Sequence, residues 1–263
     1  MGFADLHIHS MYSYDGTASI SAILKYVADF TDLNVIAITD HDSMEGVPEA
    51  LDLAPYYNLE VIPGCEVSSS DGHVLCLFIE RPIPPGLSLL ETVLMVGNQG
   101  GICIAAHPLA KGVNSQRFET IRQVLKHPVA SKILIGVEAF NGGLVYTRGN
   151  SSVQEESNSL PLAQLSNSDA HILQMIVQGA SYYHGYTSSD LKNAIITRTT
   201  IPRKGNGLSG SDVLTSYIPR YFLRKLGWVS WNESPEKPIT YAQINKLAAI
   251  NTMMYDAFTL SSH

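Results

Sequence analysis

Short apolar runs recur along the chain, each ending in polar residues and followed by a stretch with helical spacing. In residues 3–10, Leu6 and Ile8 alternate with Asp5, His7 and His9, the two-residue period of a strand, which predicts both imidazoles on one side of it. Residues 10–17 form a polar turn containing Asp15 and Gly16. Ser19 then suits a helix N-cap, with Ile20, Ile23, Leu24 and Val27 as the buried stripe. Val35-Ile36-Ala37-Ile38 is apolar throughout, the pattern of a strand covered on both faces in a parallel sheet, and it ends in Thr39-Asp40-His41-Asp42.

The alternation continues downstream. A helix is expected over 44–57 and a strand over 59–66 that closes on Glu66. His73 opens the next run, 74–79, and is the one candidate that begins a strand. A helix over 88–97 follows, then a strand over 102–106 ending in His107-Pro108, a helix over 118–126, and a strand over 133–137 ending in Glu138 and Asn141. Residues 141–158, rich in Gly, Ser and Asn, read as a loop or a frayed helix. Residues 160–167 lead into Ser168-Asp169-Ala170-His171, and a helix over 188–197 has Ser188 as its cap. Two more helices are expected over 211–226 and 240–256, where Thr240 and Gln243 match a capping box. The pattern is that of an α/β protein, a distorted barrel of about seven strands. Residues 1–205 would form the barrel, with 206–263 a helical extension packed on it in the same domain.

Composition narrows the function. With 45% apolar residues in 263 and a net charge of −7, the chain can bury a large core and lacks the basic track that long nucleic acid requires. No apolar run approaches membrane-spanning length, and Asp5 and His7 come too early for a signal peptide. Cys65, Cys76 and Cys103 lie inside apolar runs, as buried thiols of a reducing, cytoplasmic compartment do. Cys65 neighbours Glu66, so strand alternation turns it away from any site that Glu66 faces.

What remains is a donor set. Six of the nine histidines, His7, His9, His41, His73, His107 and His171, fall at strand ends or adjoining loops, together with Asp15, Glu66 and Asp169. Each alone has an ordinary explanation as a turn, a cap or a packed ring. Together they place nitrogen and oxygen donors, and no sulfur, at one rim, which suits two to three zinc, manganese or iron ions. Such ions neutralise phosphate oxygens and bring a water to its hydroxide form near neutral pH. Asp15, His41 and Asp169 are the ligands expected to position that hydroxide, with no separate nucleophile. Neither a Ser-His-Asp triad nor a Gly-x-x-x-x-Gly-Lys phosphate loop can be read. Lys111 and Arg148 are the candidate phosphate contacts, with Arg117, Arg198 and Arg203 as alternatives. His184 and the tyrosines Tyr182, Tyr183 and Tyr186 suit an aromatic wall better than a ligand or a base-stacking surface.

Asp5-Leu-His7-Ile-His9-Ser10, Asp15-Gly16, Thr39-Asp40-His41-Asp42, Gly64-Cys65-Glu66-Val67-Ser68, His73, Ala106-His107-Pro108, Glu138-Ala-Phe-Asn141 and Ser168-Asp169-Ala170-His171 together resemble the PHP (polymerase and histidinol phosphatase) family of metal-dependent phosphoesterases, over roughly residues 3–203. The resemblance implies a distorted seven-stranded (β/α) barrel with up to three metals. It implies that His7, His9, Glu66 and Asp169 hold the first, that Glu66 bridges to a second held also by His73 and His107, and that Asp15, His41 and His171 hold the third. Asp40, Asp42, Glu138 and Asn141 would support those ligands. It implies hydrolysis of a small phosphomonoester, a nucleotide of the AMP or 3′,5′-bisphosphate type, or a short RNA 5′ end. The alternatives are a histidinol-phosphate phosphatase, an amidohydrolase-like C–N hydrolase (which would usually recruit a strand-end lysine, and none is present) and a non-catalytic metal-binding module. A homo-oligomer through the C-terminal helices is the remaining partner expectation; a polymerase or other larger partner is not expected.

Overall fold

The computed structural model describes residues 1–108, 115–143 and 150–205, and residues 218, 219 and 222 beyond them. The two C-terminal helices and the Thr240–Gln243 box fall outside the described residues, apart from those three positions. Among the described residues nine strands rather than seven form one sheet: β1 (Gly2–Ile8), β2 (Val35–Ile38), β3 (Glu60–Ser69), β4 (Gly72–Leu77), β5 (Ile102–Ala105), β6 (Leu134–Asn141), β7 (Ala163–Asn167), β8 (Gly179–Tyr183) and β9 (Ile201–Lys204), in the order β7-β6-β5-β4-β3-β2-β1-β8-β9. The sequence pattern did not predict β8 or β9. Gly-Ala-Ser-Tyr-Tyr and Ile-Pro-Arg-Lys are too short and mixed to show a period; pairing to β1 makes β8 a strand, and pairing to β8 makes β9 one.

The sheet curls until its ends meet. Ser166 and Ser181 exchange hydrogen bonds, the Ser166 amide donating to Ser181 Oγ at 2.9 Å and Ser181 Oγ donating to the Ser166 carbonyl at 3.0 Å. At the rim the His9 amide donates to the Ala170 carbonyl at 2.9 Å and the Ala170 amide to the His7 carbonyl at 3.2 Å. The result is a nearly closed, distorted barrel.

Four of the eight strand pairs are parallel, and β4 runs antiparallel to both β3 and β5. This explains why His73 opens its strand: the start of β4 lies at the rim where the other strands end. β8 is also reversed, and Tyr183 pairs with Gly2 at the start of β1. His184 therefore emerges at the opposite end of the barrel and is exposed. Two of the three tyrosines pack as expected, Tyr183 fully buried and Tyr182 stacked on Phe3 with centroids 4.5 Å apart, but Tyr186, beyond the end of β8, is exposed.

Three cores hold the shell. Ala4, Leu6, Val35, Ala37, Ile62, Leu75 and Ile104 fill the inside with Leu191, Ala194 and Ile195 of α6 (Ser188–Thr197). Outside, α1 (Ile20–Phe30) and α2 (Val47–Leu53) cover β1 to β3, while α3 (Leu89–Gly97) and α4 (Phe118–Val124) cover β3 to β6. Ser19 caps α1 as expected, and Ser88 caps α3 in a box with Glu91. For α6 the cap is Thr187, with Asp190 completing the box, and Ser188 is the first helical residue. The uncertain stretch 141–158 contains α5 (Asn150–Ser157). Among the described residues no helix is long and apolar enough to cross a membrane.

The alternation read in β1 is not regular. Leu6 joins the inner core and Ile8 the outer one, and the pairing with β2 slips between Asp5 and Ile8. This irregularity adjoins the two histidines and re-aims the strand end, as bulges near active sites do.

Candidate metal centre

All nine sequence-predicted donors converge at one rim. Glu66 lies at the middle, at the far end of the inner stretch of β3. Its Oε1 is 2.9 Å from His73 Nδ1 and 2.9 Å from His107 Nε2. Its Oε2 is 3.1 Å from His7 Nε2, 3.3 Å from His9 Nε2 and 3.1 Å from His41 Nδ1. Asp169, at the turn after β7, brings Oδ1 to 3.3 Å from His7 Nε2 and 3.2 Å from His9 Nε2. Asp15 Oδ2 is 3.0 Å from His171 Nε2 and 3.4 Å from His41 Nε2.

Four sets of these residues bring one ligand atom each to within 4.8 Å of one another: His9, Asp15, His41 and His171; His7, His9 and Glu66; His7, His107 and Asp169; and His41, Glu66 and His73. The sets overlap, sharing His7, His9, His41 and Glu66. The residues fit a cation by a further test. His7 Nε2, His9 Nδ1, His41 Nδ1 and Glu66 Oε2 are buried and lack a well-formed hydrogen bond. Buried polar atoms in that state are costly unless something coordinates them. His7 Nε2 and Glu66 Oε2 face each other at 3.1 Å without bonding, as two ligands of one ion would.

The supporting residues are as specific as the donors. Glu138, fully buried, accepts from His7 Nδ1 at 2.9 Å and from Asn167 Nδ2 at 2.8 Å through one oxygen. Its other oxygen accepts from the His107 amide at 2.8 Å and from Asn141 Nδ2 at 3.0 Å. That network fixes His7 with Nε2 toward Glu66, the carboxylate–histidine–metal relay of metal sites. Asn141 Nδ2 also reaches Asp169 Oδ2 at 3.3 Å. Asp40 accepts from both the amide and the hydroxyl of Ser10, at 2.6 and 2.7 Å, and Asp42 accepts from the Ser68 amide at 2.7 Å. These contacts tie the loop after β2 to the loop after β1 and to the end of β3. Asn167 escaped the sequence reading; its side chain accepts from the Leu6 amide while donating to Glu138, and its only signal was its place just before Ser168-Asp169.

The electrostatics are those of a cation site. Burial works against protonation of His7, yet Asp169, Glu66 and Glu138 outweigh it and hold the imidazole well above its ordinary range. His9 is likewise opposed by burial and pulled up to about 10 by Asp169 and Glu66. Burial opposes ionisation of Glu66 and Asp169, but the surrounding imidazoles hold both carboxyls below their usual range. So packed a set of anions and imidazoles is reconciled either by protons or by metal cations.

The other expectations divide. Lys111 and Arg148 lie outside the described residues. Arg203 is not at the rim: its guanidinium lies 5.1 Å over the Phe3 ring and donates to the Tyr182 hydroxyl at 3.1 Å. Arg198 and Arg117 are exposed, at the C-cap of α6 and the N-cap of α4. Cys65, Cys76 and Cys103 are free and buried in the outer core, turned from the centre as alternation requires.

Comparison with known proteins agrees with this geometry. The model of the PHP domain family matches residues 5–168. An uncharacterized protein of Methanocaldococcus jannaschii is 35% identical over 148 residues, which is 52% of this chain and 81% of that protein. DNA polymerase III of the PolC type from Listeria welshimeri is 40% identical over 81 residues, 30% of this chain and only 6% of the polymerase. A two-domain protein of Bacteroides vulgatus containing a predicted PHP-like metal-dependent phosphoesterase superposes with a TM-score of 0.61 at 16% identity, over 84% of this chain and 68% of that one, a likeness of fold.

Proposed function

The chain belongs to the PHP domain family, and on that premise we propose that it is a metal-dependent phosphoesterase that hydrolyses a small phosphomonoester, a nucleotide or the 5′ end of a short RNA. The observation that carries this reading is the position of Glu66, one carboxylate within 3.3 Å of five imidazoles, with Asp15 and Asp169 completing the set. His7, His9, Glu66 and Asp169 would hold one ion, Glu66, His73 and His107 a second, and Asp15, His41 and His171 a third. Zinc, manganese or iron there would neutralise the phosphate oxygens and supply a strongly acidified water.

The chain's own residues do the rest. Glu66 directs one oxygen to His73 and His107 and the other to His7, His9 and His41, so it would be shared between the first two ions. Glu138 holds His7 in one tautomer, and Asp169 receives the Asn141 amide on the oxygen it does not share with the imidazoles. Burial of this set removes competing solvent, which strengthens every charge interaction with a phosphate. Fixed positive charge for the substrate would come from Lys111 and Arg148.

The test is metal content of the purified protein beside a phosphatase screen, with and without chelator. The panel is AMP, a nucleoside 3′,5′-bisphosphate, a short 5′-phosphorylated RNA and histidinol phosphate. Chelator-sensitive turnover of one of the first three is expected. Turnover of histidinol phosphate alone would replace the nucleotide reading, and a metal-loaded protein that turns over nothing would leave a binding module.

A further inference from the structure

We infer that Gln116 is a positioning residue for the ion that Glu66, His73 and His107 would share, holding the backbones of the two histidines from behind. The inference rests on the metal-centre part of the proposed function and not on the choice of substrate. His73 opens β4 and His107 follows β5, so their strands run in opposite directions and yet bring two imidazole nitrogens to the same oxygen, Glu66 Oε1, each at 2.9 Å. The Glu138 carboxylate supports His7 through its ring and His107 through its amide. At the start of β4 the support comes from Gln116, in the segment between β5 and α4. Gln116 Nε2 donates to the Gly72 carbonyl at 3.0 Å and to the His73 carbonyl at 3.2 Å. Next to it, the Ser115 hydroxyl donates to the His107 carbonyl at 2.8 Å. Two adjacent residues thus latch both histidine backbones, and the Ala106 amide closes the link by donating to the His73 carbonyl at 3.3 Å.

Packing alone does not account for a glutamine here. Gln116 is fully buried, and its Oε1 has no hydrogen-bond partner among the described residues. The amide cannot turn over, because the oxygen would then face two carbonyls. A leucine of similar size would remove the buried, unpartnered acceptor and its cost. What it would give up is the pair of N–H bonds to the start of β4. The fit on the backbone side is close as well. Gly72 has a φ of +119°, and a Cβ on it would come within 2.7 Å of the Gln116 nitrogen and of the Ser115 carbonyl carbon. The turn into β4 is therefore seated directly on residues 115 and 116. His107 in turn has a φ of +24°, outside the relaxed regions for a residue with a side chain. Strain of that kind persists only where the surroundings over-determine it, and it gathers at functional sites. Metal bonds of roughly 2 Å tolerate little drift in the two imidazoles, so fixing both backbones fixes what the ion meets.

The experiment titrates Co(II) into the metal-free full chain and follows its visible absorption, with ions per chain measured in parallel. The absorption that the parent gains and His73→Ala does not identifies the ion at Glu66, His73 and His107. Gln116→Leu should need about tenfold more Co(II) to develop that absorption, the lower end of what losing a support behind a ligand costs. The rest of the spectrum should fill as in the parent, and the metal-free Tm should stay near the parent's. Ser115→Ala should shift the same absorption in the same direction, and it decides the matter if Gln116→Leu does not fold. Absorption that develops as in the parent overturns the inference. So does a weakening of every ion together with a fall in Tm, which would make Gln116 a packing residue. A parent that takes up no Co(II) is a different failure: it overturns the metal-centre reading, and the inference with it.

Discussion

The two sides of the centre meet water differently. On one side His7 and Glu66 expose 0% and 1% of their side chains, and His73 and His107 are nearly as covered. On the other, Asp15 and His171 keep 13% and 17% exposed. The closed side is braced by the Glu138, Asn141 and Asn167 network. The open side is braced mainly by Ser13 and by the His171 Nδ1 contact to the Asp169 carbonyl at 2.9 Å. A buried, doubly supported set suits ions that stay with the protein. A half-open one suits an ion that shares its coordination with the substrate.

Glu66→Gln tests that contrast most severely, because this carboxylate would serve two of the three ions, both on the closed side. It should lower ion content there and reduce turnover by at least about 100-fold. Metal analysis with kinetics checks it, and a closed side loaded as in the parent would break the picture of a shared bridge. Glu138→Gln presents an amide N–H where His7 and the His107 amide need acceptors. A loss of about 10–100-fold in metal affinity is expected, confined to the closed side and measured by competition with a chromophoric chelator. Asp15→Asn should act on the open side alone. We expect one ion fewer per chain and about tenfold lower affinity for the remaining open-side ligands, with the closed side loaded as in the parent.

The smallest effect is with pH. In the metal-free protein His9 and His7 are held above their ordinary values, so their contribution to stability is fully present below about pH 6.5 and is lost as pH rises through the folded value, about 10 for His9. Glu66 and Asp169 are held down, so theirs is present above about pH 4 and lost on acidification. The metal-free Tm should therefore be highest between about pH 4.5 and 6.5 and decline toward alkaline pH. Metal ions compete with the same protons, so the rise in Tm on adding metal should be larger at about pH 8 than at about pH 6. A scan of Tm with and without chelator checks both.

Much of the centre was legible in the sequence because its donors end apolar runs, and the end of a run is a position that can be read without knowing the fold. His73 was recognised as a donor, but its reversed place needed the antiparallel β4. The slip in β1 was hidden because Leu6 and Ile8 look alike in a period-two pattern, although they enter different cores. Strands β8 and β9 were missed since their pairing, not their composition, makes them strands. Asn167 and Gln116 escaped for a similar reason: a side-chain amide carries no signal until Glu138 or His73 is placed beside it.

The turn between Ser69 and Gly72 that reverses β4 also sets the order in which the pocket can assemble as the chain is made. Glu66 and His73 are joined by a hairpin and can meet as soon as both have left the ribosome, and His107 arrives soon after. Asp169 is synthesised much later and must find His7 and His9 across most of the barrel. A nascent chain thus brings three of the proposed ligands of one ion together before the shell closes, and the ligands of the other ions only afterwards.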